Sequence, residues 1–308
     1  MPDPTEFAIT ATFLAALVVF VLTAIVHKLC GKKRLMASAT ESEQLAPATE
    51  ESPYQPPVAS AVLIPALPIG RVPTWFYRSP DLLGLGLIYL IFFGLVLTSL
   101  RAGVDAGTLE PSGLLVSIAF QFIIAGVAMS FVIRRIHPAD WLGLRWPGWR
   151  WVFLIAPATV LFMWFFFAVL QSTGFMDWLE SLGVESLQDT VQLLQESNDP
   201  VLLGMMAFAA VIAAPVCEEI VFRGYFYPAA KKFAGPWGAA ACSALVFAAA
   251  HGSLAALLPL FVFGLVLVII YEKTGSLWAP IAVHLCFNGA TVAIQLAARY
   301  FNIPMETP

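Results

Sequence analysis

Cys217-Glu218-Glu219-Ile220-Val221-Phe222-Arg223 sets three charged side chains into a run, Val201 through Phe226, that is otherwise almost wholly apolar. A carboxylate inside a membrane costs several kcal/mol unless it has a partner or faces a wet cavity. Two such side chains in succession need a physical reason. Glu219 and Arg223 are four residues apart on one helical face, in the carboxylate-first order that favours an ion pair. Glu218 points about 100° away from that face, with no basic residue one turn from it.

The surroundings decide the fold class. Of 308 residues, 59% are hydrophobic and 12% charged, about half the charged share of a soluble domain. The chain is expected to be all-α, a polytopic helical membrane protein of about eight transmembrane helices. The expected spans are Phe7–Val26, Leu82–Leu100, Leu114–Val132, Trp151–Leu170, a long segment from Val201 past Arg223, Trp237–His251, Leu254–Tyr271 and Ala279–Ala298. Each approximates the length needed to cross a bilayer, except that Trp237–His251 is short. Lys28, Lys32, Lys33 and Arg34 follow the first span, so the positive-inside bias places its C-terminal end in the cytoplasm. The same threading leaves the acidic stretch 171–200 outside.

Three regions follow. Residues 1–34 read as an uncleaved N-terminal membrane anchor. Residues 35–70 are rich in Pro, Glu and Ser and read as a disordered cytoplasmic linker. Residues 71–300 hold the membrane domain, with its motif-bearing core at 200–295. The four cysteines stand singly, three of them in apolar segments, and suggest buried thiols rather than a disulfide framework. No internal repeat argues for a transporter built from inverted halves. No basic stripe points to nucleic acid; the partners implied are membrane lipids and a peptide or protein, lipidated or not.

Further polar groups stand alone in apolar segments: His251, and the pair His284 and Asn288, four apart on the last span. Each alone has an ordinary explanation, a helix cap for His251 and an interhelical hydrogen bond for the pair. Four groups of complementary acid–base type are expected to act together. One carboxylate and two imidazoles, Glu218, His251 and His284, could hold a metal such as Zn2+. Alternatively Glu218 could act on water directly, with an imidazole orienting it and with His284 and Asn288 donating to an oxyanion. HExxH, GxSxG and an intramembrane aspartate pair are all missing.

In order and without substitution, Glu218-Glu219-Ile-Val-Phe-Arg223, Phe247-Ala-Ala-Ala-His251 and His284-Leu-Cys-Phe-Asn288 reproduce EExxxR, FxxxH and HxxxN. The chain therefore resembles the CAAX prenyl protease and bacteriocin-processing (CPBP) family of intramembrane endopeptidases, strongly over 200–295. The resemblance implies a multi-pass cell-membrane hydrolase cleaving a membrane-associated, prenylated or lipidated peptide without an obligatory cofactor. Glu218 would be the water-activating glutamate, assisted by His251. His284 and Asn288 would form the oxyanion site, and Glu219 and Arg223 would support it. Competing readings are a zinc-dependent form of the same peptidase and a non-enzymatic transporter or immunity scaffold. A simple threading raises one conflict: it puts His251 near the outer end of its span, with Glu218 and His284 in or near the cytoplasmic half.

Overall fold

The computed structural model describes residues 3–44, 71–102, 111–184 and 199–301, with side chains omitted for 32–44. Every regular element among them is helical. The long ones are α1 (Pro4–Gln44), α2 (Asp81–Ala102), α3 (Pro111–Ser130), α5 (Val152–Ser172), α7 (Pro200–Ala249), α8 (Leu254–Thr274) and α9 (Trp278–Tyr300). Two short ones, α4 (Pro138–Trp141) and α6 (Phe175–Ser181), lie in connections. The chain is a multi-pass membrane protein: seven of its described helices are long and apolar enough to cross a bilayer.

Eight spans were expected, and the difference lies in α7. This 50-residue helix joins the two segments read as separate, Val201 past Arg223 and Trp237–His251. Gly235 breaks it with φ 72° and ψ 172°, a combination open almost only to glycine. Pro236 follows with a fixed φ suited to restarting a helix. α7 is therefore a hairpin of two arms.

α1 also differs from expectation. It continues to Gln44, across the first ten residues of the expected linker, where Ala, Met, Glu and Gln are strong helix formers. Residues 45–70 lie outside the described residues. Ile9 and Phe13 of α1 belong to the main core. A Cβ on Gly238 would fall 2.3 Å from Thr23 Oγ1, so α1 lies directly along the second arm of α7. His27 sits in α1, exposed, with its ring beside Gly235.

One end of the bundle is tied tightly. Arg135 holds Asp81 through two hydrogen bonds of 2.6 and 2.8 Å, and the neighbouring carboxylate holds the guanidinium pKa above its ordinary value. Lys231 Nζ donates to Val72 O and to Glu272, which also accepts from Tyr227. Tyr77 Oη receives a bond from Trp141 Nε1 and donates its own proton to Gly224 O.

Candidate active site

The first arm of α7 is irregular where the charged residues lie. A π-helical turn at Ala209–Ala213 and another at Glu219–Phe226 flank a single α-turn, Ala214–Glu218. Such bulges widen a helix and redirect its side chains. In the first, Ala214 N–H bonds to Ala209 O, five residues back. The carbonyl of Ala210 would look in the same register to residue 215, which is proline and has no proton to give. Asn288 Nδ2 donates to it at 2.8 Å. This is the bond the structure gives Asn288, an interhelical crosslink between α9 and the distorted arm.

Glu219 and Arg223 form the ion pair read from their spacing, fully buried, at 2.9 Å. Arg223 Nη2 also donates to Gly264 O at 3.1 Å. A Cβ on Gly264 would lie 3.1 Å from that of Ala244, so the missing side chain lets α8 approach α7 this closely. The guanidinium lies 4.3 Å from the centre of the Phe247 ring, a cation–π distance.

The same Glu219 Oε1 stands 2.9 Å from His284 Nδ1. A carboxylate paired with arginine is ionised and can only accept, so His284 Nδ1 donates. His251 Nδ1 lies 2.8 Å from Phe247 O; a carbonyl also only accepts, so this nitrogen donates too. Each imidazole, when neutral, thus presents a bare Nε2. Both Nε2 atoms lie 3.9 Å from Glu218 Oε2, which is buried and has no hydrogen-bond partner.

Glu218, His251 and His284 therefore converge, and the expected difference in depth disappears. Glu218 stands 17 residues before Gly235 and His251 stands 16 after it. At about 1.5 Å per residue the two arms are nearly equal, and the hairpin returns His251 to the level of Glu218. Phe247 wedges between the rings, with centroids 4.9 Å from His251 and 6.0 Å from His284. Phe263 covers the other side of His284 at 5.1 Å. The supporting parts that sequence reasoning missed are Phe263, the Gly264 and Ala210 carbonyls and the packing duty of Phe247. Only Phe247 carried a signal, as the first residue of FxxxH.

One carboxylate oxygen, Glu218 Oε2, stands at the same distance, 3.9 Å, from both imidazole Nε2 atoms. Two atoms 3.9 Å apart are spanned by one water at about 2.8 Å from each, at an angle near 90°. Ligands on one tetrahedral zinc would be closer, about 3.4 Å apart for bonds of about 2.1 Å. Among the described residues no three His, Cys, Asp or Glu side chains are grouped as a metal would require. Cys217 and Cys242 are buried as expected, whereas Cys286 is exposed on α9.

Residues 200–290 match the family model for type II CAAX prenyl endopeptidase, Rce1-like. A Bacillus subtilis (strain 168) protein named "Putative membrane peptidase YdiL" is 29% identical over 117 residues, covering 38% of this chain. The match spans 44% of that relative's length. No solved structure matches the chain.

Proposed function

Because residues 200–290 form an Rce1-like segment of a multi-pass membrane protein, we propose that the chain is an intramembrane endopeptidase in which Glu218 activates water. The observation that carries this reading is the unpartnered Glu218 Oε2, set 3.9 Å from two imidazole nitrogens. A water there donates one proton to Glu218 and one to His251 Nε2, leaving a lone pair directed at a peptide carbonyl. Water has only two protons, so the third acceptor needs one of its own. His284 is the better holder: Glu219 backs its Nδ1 and Glu218 faces its Nε2, whereas a neutral carbonyl backs His251. As an imidazolium, His284 donates Nε2–H to the oxyanion. Asn288 keeps its second amide proton for the same oxyanion. Glu218 then passes the captured proton to the leaving amine, which completes hydrolysis.

The substrate is a membrane-associated peptide or protein, prenylated or otherwise lipidated tails among the candidates, in the cell membrane. No cofactor is required on this reading. The test is Glu218→Ala and Glu218→Gln in purified full-length protein with a fluorogenic peptide library. We expect a loss of 10²–10⁴-fold in proteins that melt at the wild-type temperature; normal turnover in either would end the proposal. Chelation with zinc add-back distinguishes the zinc-dependent alternative: activity that survives chelation supports the metal-free mechanism. Activity lost to chelation and restored by zinc would instead give Glu218, His251 and His284 the role of ligands.

A further inference from the structure

Glu218 and His284 lie on different elements, the first arm of α7 and α9. The 3.9 Å between Glu218 Oε2 and His284 Nε2 therefore depends on how those elements are set against each other. At the site they are joined by Glu219 to His284 and by Asn288 to the Ala210 carbonyl. A second junction stands farther along both helices. Gly224 follows Glu218 by six residues and Leu277 precedes His284 by seven, a rise of about 9 and 10.5 Å. These two positions meet: a Cβ on Gly224 would lie 3.8 Å from Leu277 Cδ2.

The parts that hold this meeting point come from earlier in the chain. Leu142 Cδ2 stands 3.0 Å from where a Cβ on Gly224 would be, and Leu142 O accepts the Leu277 N–H at 2.9 Å. One residue thus touches the first arm with its side chain and ties the start of α9 with its backbone. Gly143 has φ +59°, and a Cβ there would run into Gly275 O, so glycine lets this loop close on the turn between α8 and α9. Tyr77 adds the last bond. An indole N–H only donates, so the 3.0 Å bond from Trp141 Nε1 makes the phenol an acceptor there and leaves its own proton for Gly224 O, also at 3.0 Å. Gly224 belongs to the π-helical turn Glu219–Phe226. Such a turn departs from the ordinary helical ladder, and a bond from outside the helix has leverage on its register. Tyr77, Trp141, Leu142 and Leu277 are all buried. Tyr77, Trp141, Leu142 and Gly143 all precede the segment 200–290 that matches the family model.

We propose that Tyr77 and the Leu142–Gly143 loop are positioning residues: they fix the π-helical turn against the start of α9 and so hold Glu218 and His284 at their working separation. Their effect on rate rests on the peptidase reading above; the tie between the two elements does not. None of them touches the reacting atoms. A misplacement of about 1 Å in a catalytic group can cost about a hundredfold in rate, so loosening the junction lowers kcat and leaves KM largely unchanged.

The test uses purified full-length protein carrying Tyr77→Phe or Gly143→Ala, with Gly238→Ala as a control destabilised at the α1 contact. Peptide hydrolysis is measured at a temperature where all are folded, and amide hydrogen exchange is followed over 219–226 and 277–284. Both junction variants are expected to lose about tenfold to a hundredfold in kcat, with KM changed less than about threefold and exchange quickened in both stretches together. Gly238→Ala is expected to keep kcat, KM and exchange in those stretches within about twofold of wild type. Normal kcat in Tyr77→Phe, an equal loss in Gly238→Ala, or exchange that quickens in one stretch alone overturns the proposal. If Gly143→Ala does not fold, Tyr77→Phe decides. No hydrolysis by the wild type ends the peptidase reading and the effect on rate with it, and exchange alone then decides whether the junction ties the two elements.

Discussion

Replacing Glu219 by Gln separates what holds this site together from what would react in it. The pair Glu219–Arg223 is fully buried. Removing one partner leaves the other charge in an apolar interior, at a cost of about 3–5 kcal/mol. Arg223 would keep the Gly264 carbonyl and the Phe247 ring, which places Glu219→Gln at the lower end of that range. Three kcal/mol is about a hundredfold in the folding equilibrium, and a fall in Tm on the order of 10 °C in a chain of this size.

Arg223→Met alone should cost a similar amount, because the Glu219 carboxylate then keeps only His284. The double variant removes both charges. It should be more stable than either single variant, with a coupling of at least about 2 kcal/mol, since a buried ion pair is often no better than an apolar replacement. Activity should not follow stability back. His284 Nδ1 faces an amide in the double variant instead of a carboxylate, so the imidazolium needed for the oxyanion loses its support and kcat stays low. The assays are thermal unfolding in detergent and peptide hydrolysis on the same preparations. Additive single-variant costs, or a double variant with normal kcat, would refute the reasoning.

Other predictions follow from single contacts. Asn288→Ala leaves the Ala210 carbonyl without a donor and should cost about 1–3 kcal/mol; adding Pro215→Ala restores an N–H in register and should recover stability, and no recovery would refute the π-register account. Gly238→Ala brings a methyl group within 2.4 Å of Thr23 Cβ, so Tm should fall and Thr23→Gly should relieve it; an unchanged Tm would show that α1 does not pack there. Burial, above all, raises the Tyr77 phenol well above its ordinary pKa, so its contribution is complete below about pH 10, where the unfolded phenol begins to ionise, and declines as pH rises. Tyr77→Phe should flatten that alkaline decline in Tm while lowering the plateau through the bonds lost to Gly224 and Trp141.

Much of the fold could be read from hydropathy because each span is a long apolar run, and bilayer thickness leaves helices little freedom in length. The depth of His251 could not, because threading assumes that every segment crosses fully from a fixed boundary. The information was nevertheless present: the 33 residues from Glu218 to His251 divide almost evenly at Gly235-Pro236. The packing of α1 was also hidden. An isolated span and a span that fits against Gly238 have the same composition, and only the small residue on the partner helix marks the contact. Asn288 shows another limit. Its pattern with His284 marks a shared face, but the bond to Ala210 arises from a proline 73 residues earlier that disables one carbonyl. That coupling passes through backbone register, which no side-chain pattern displays.

Adjacent identical carboxylates can have opposite duties because of where a helix turns them. The 100° between successive residues sends Glu219 into a layer where Arg223 and His284 hold it, and leaves Glu218 with a side chain 22% exposed. The first has its charge balanced and is costly to remove from the fold. The second has an unpartnered oxygen, so on the proposed mechanism it is the one expected to be dispensable for folding and to transfer the proton. Exchanging the duties is not possible by sequence reversal, since the residue four positions after Glu218 is Phe222 and offers no counter-charge. On the proposed mechanism Arg223 decides which of the two glutamates serves as the base: it pairs with Glu219 and leaves the Glu218 Oε2 without a partner.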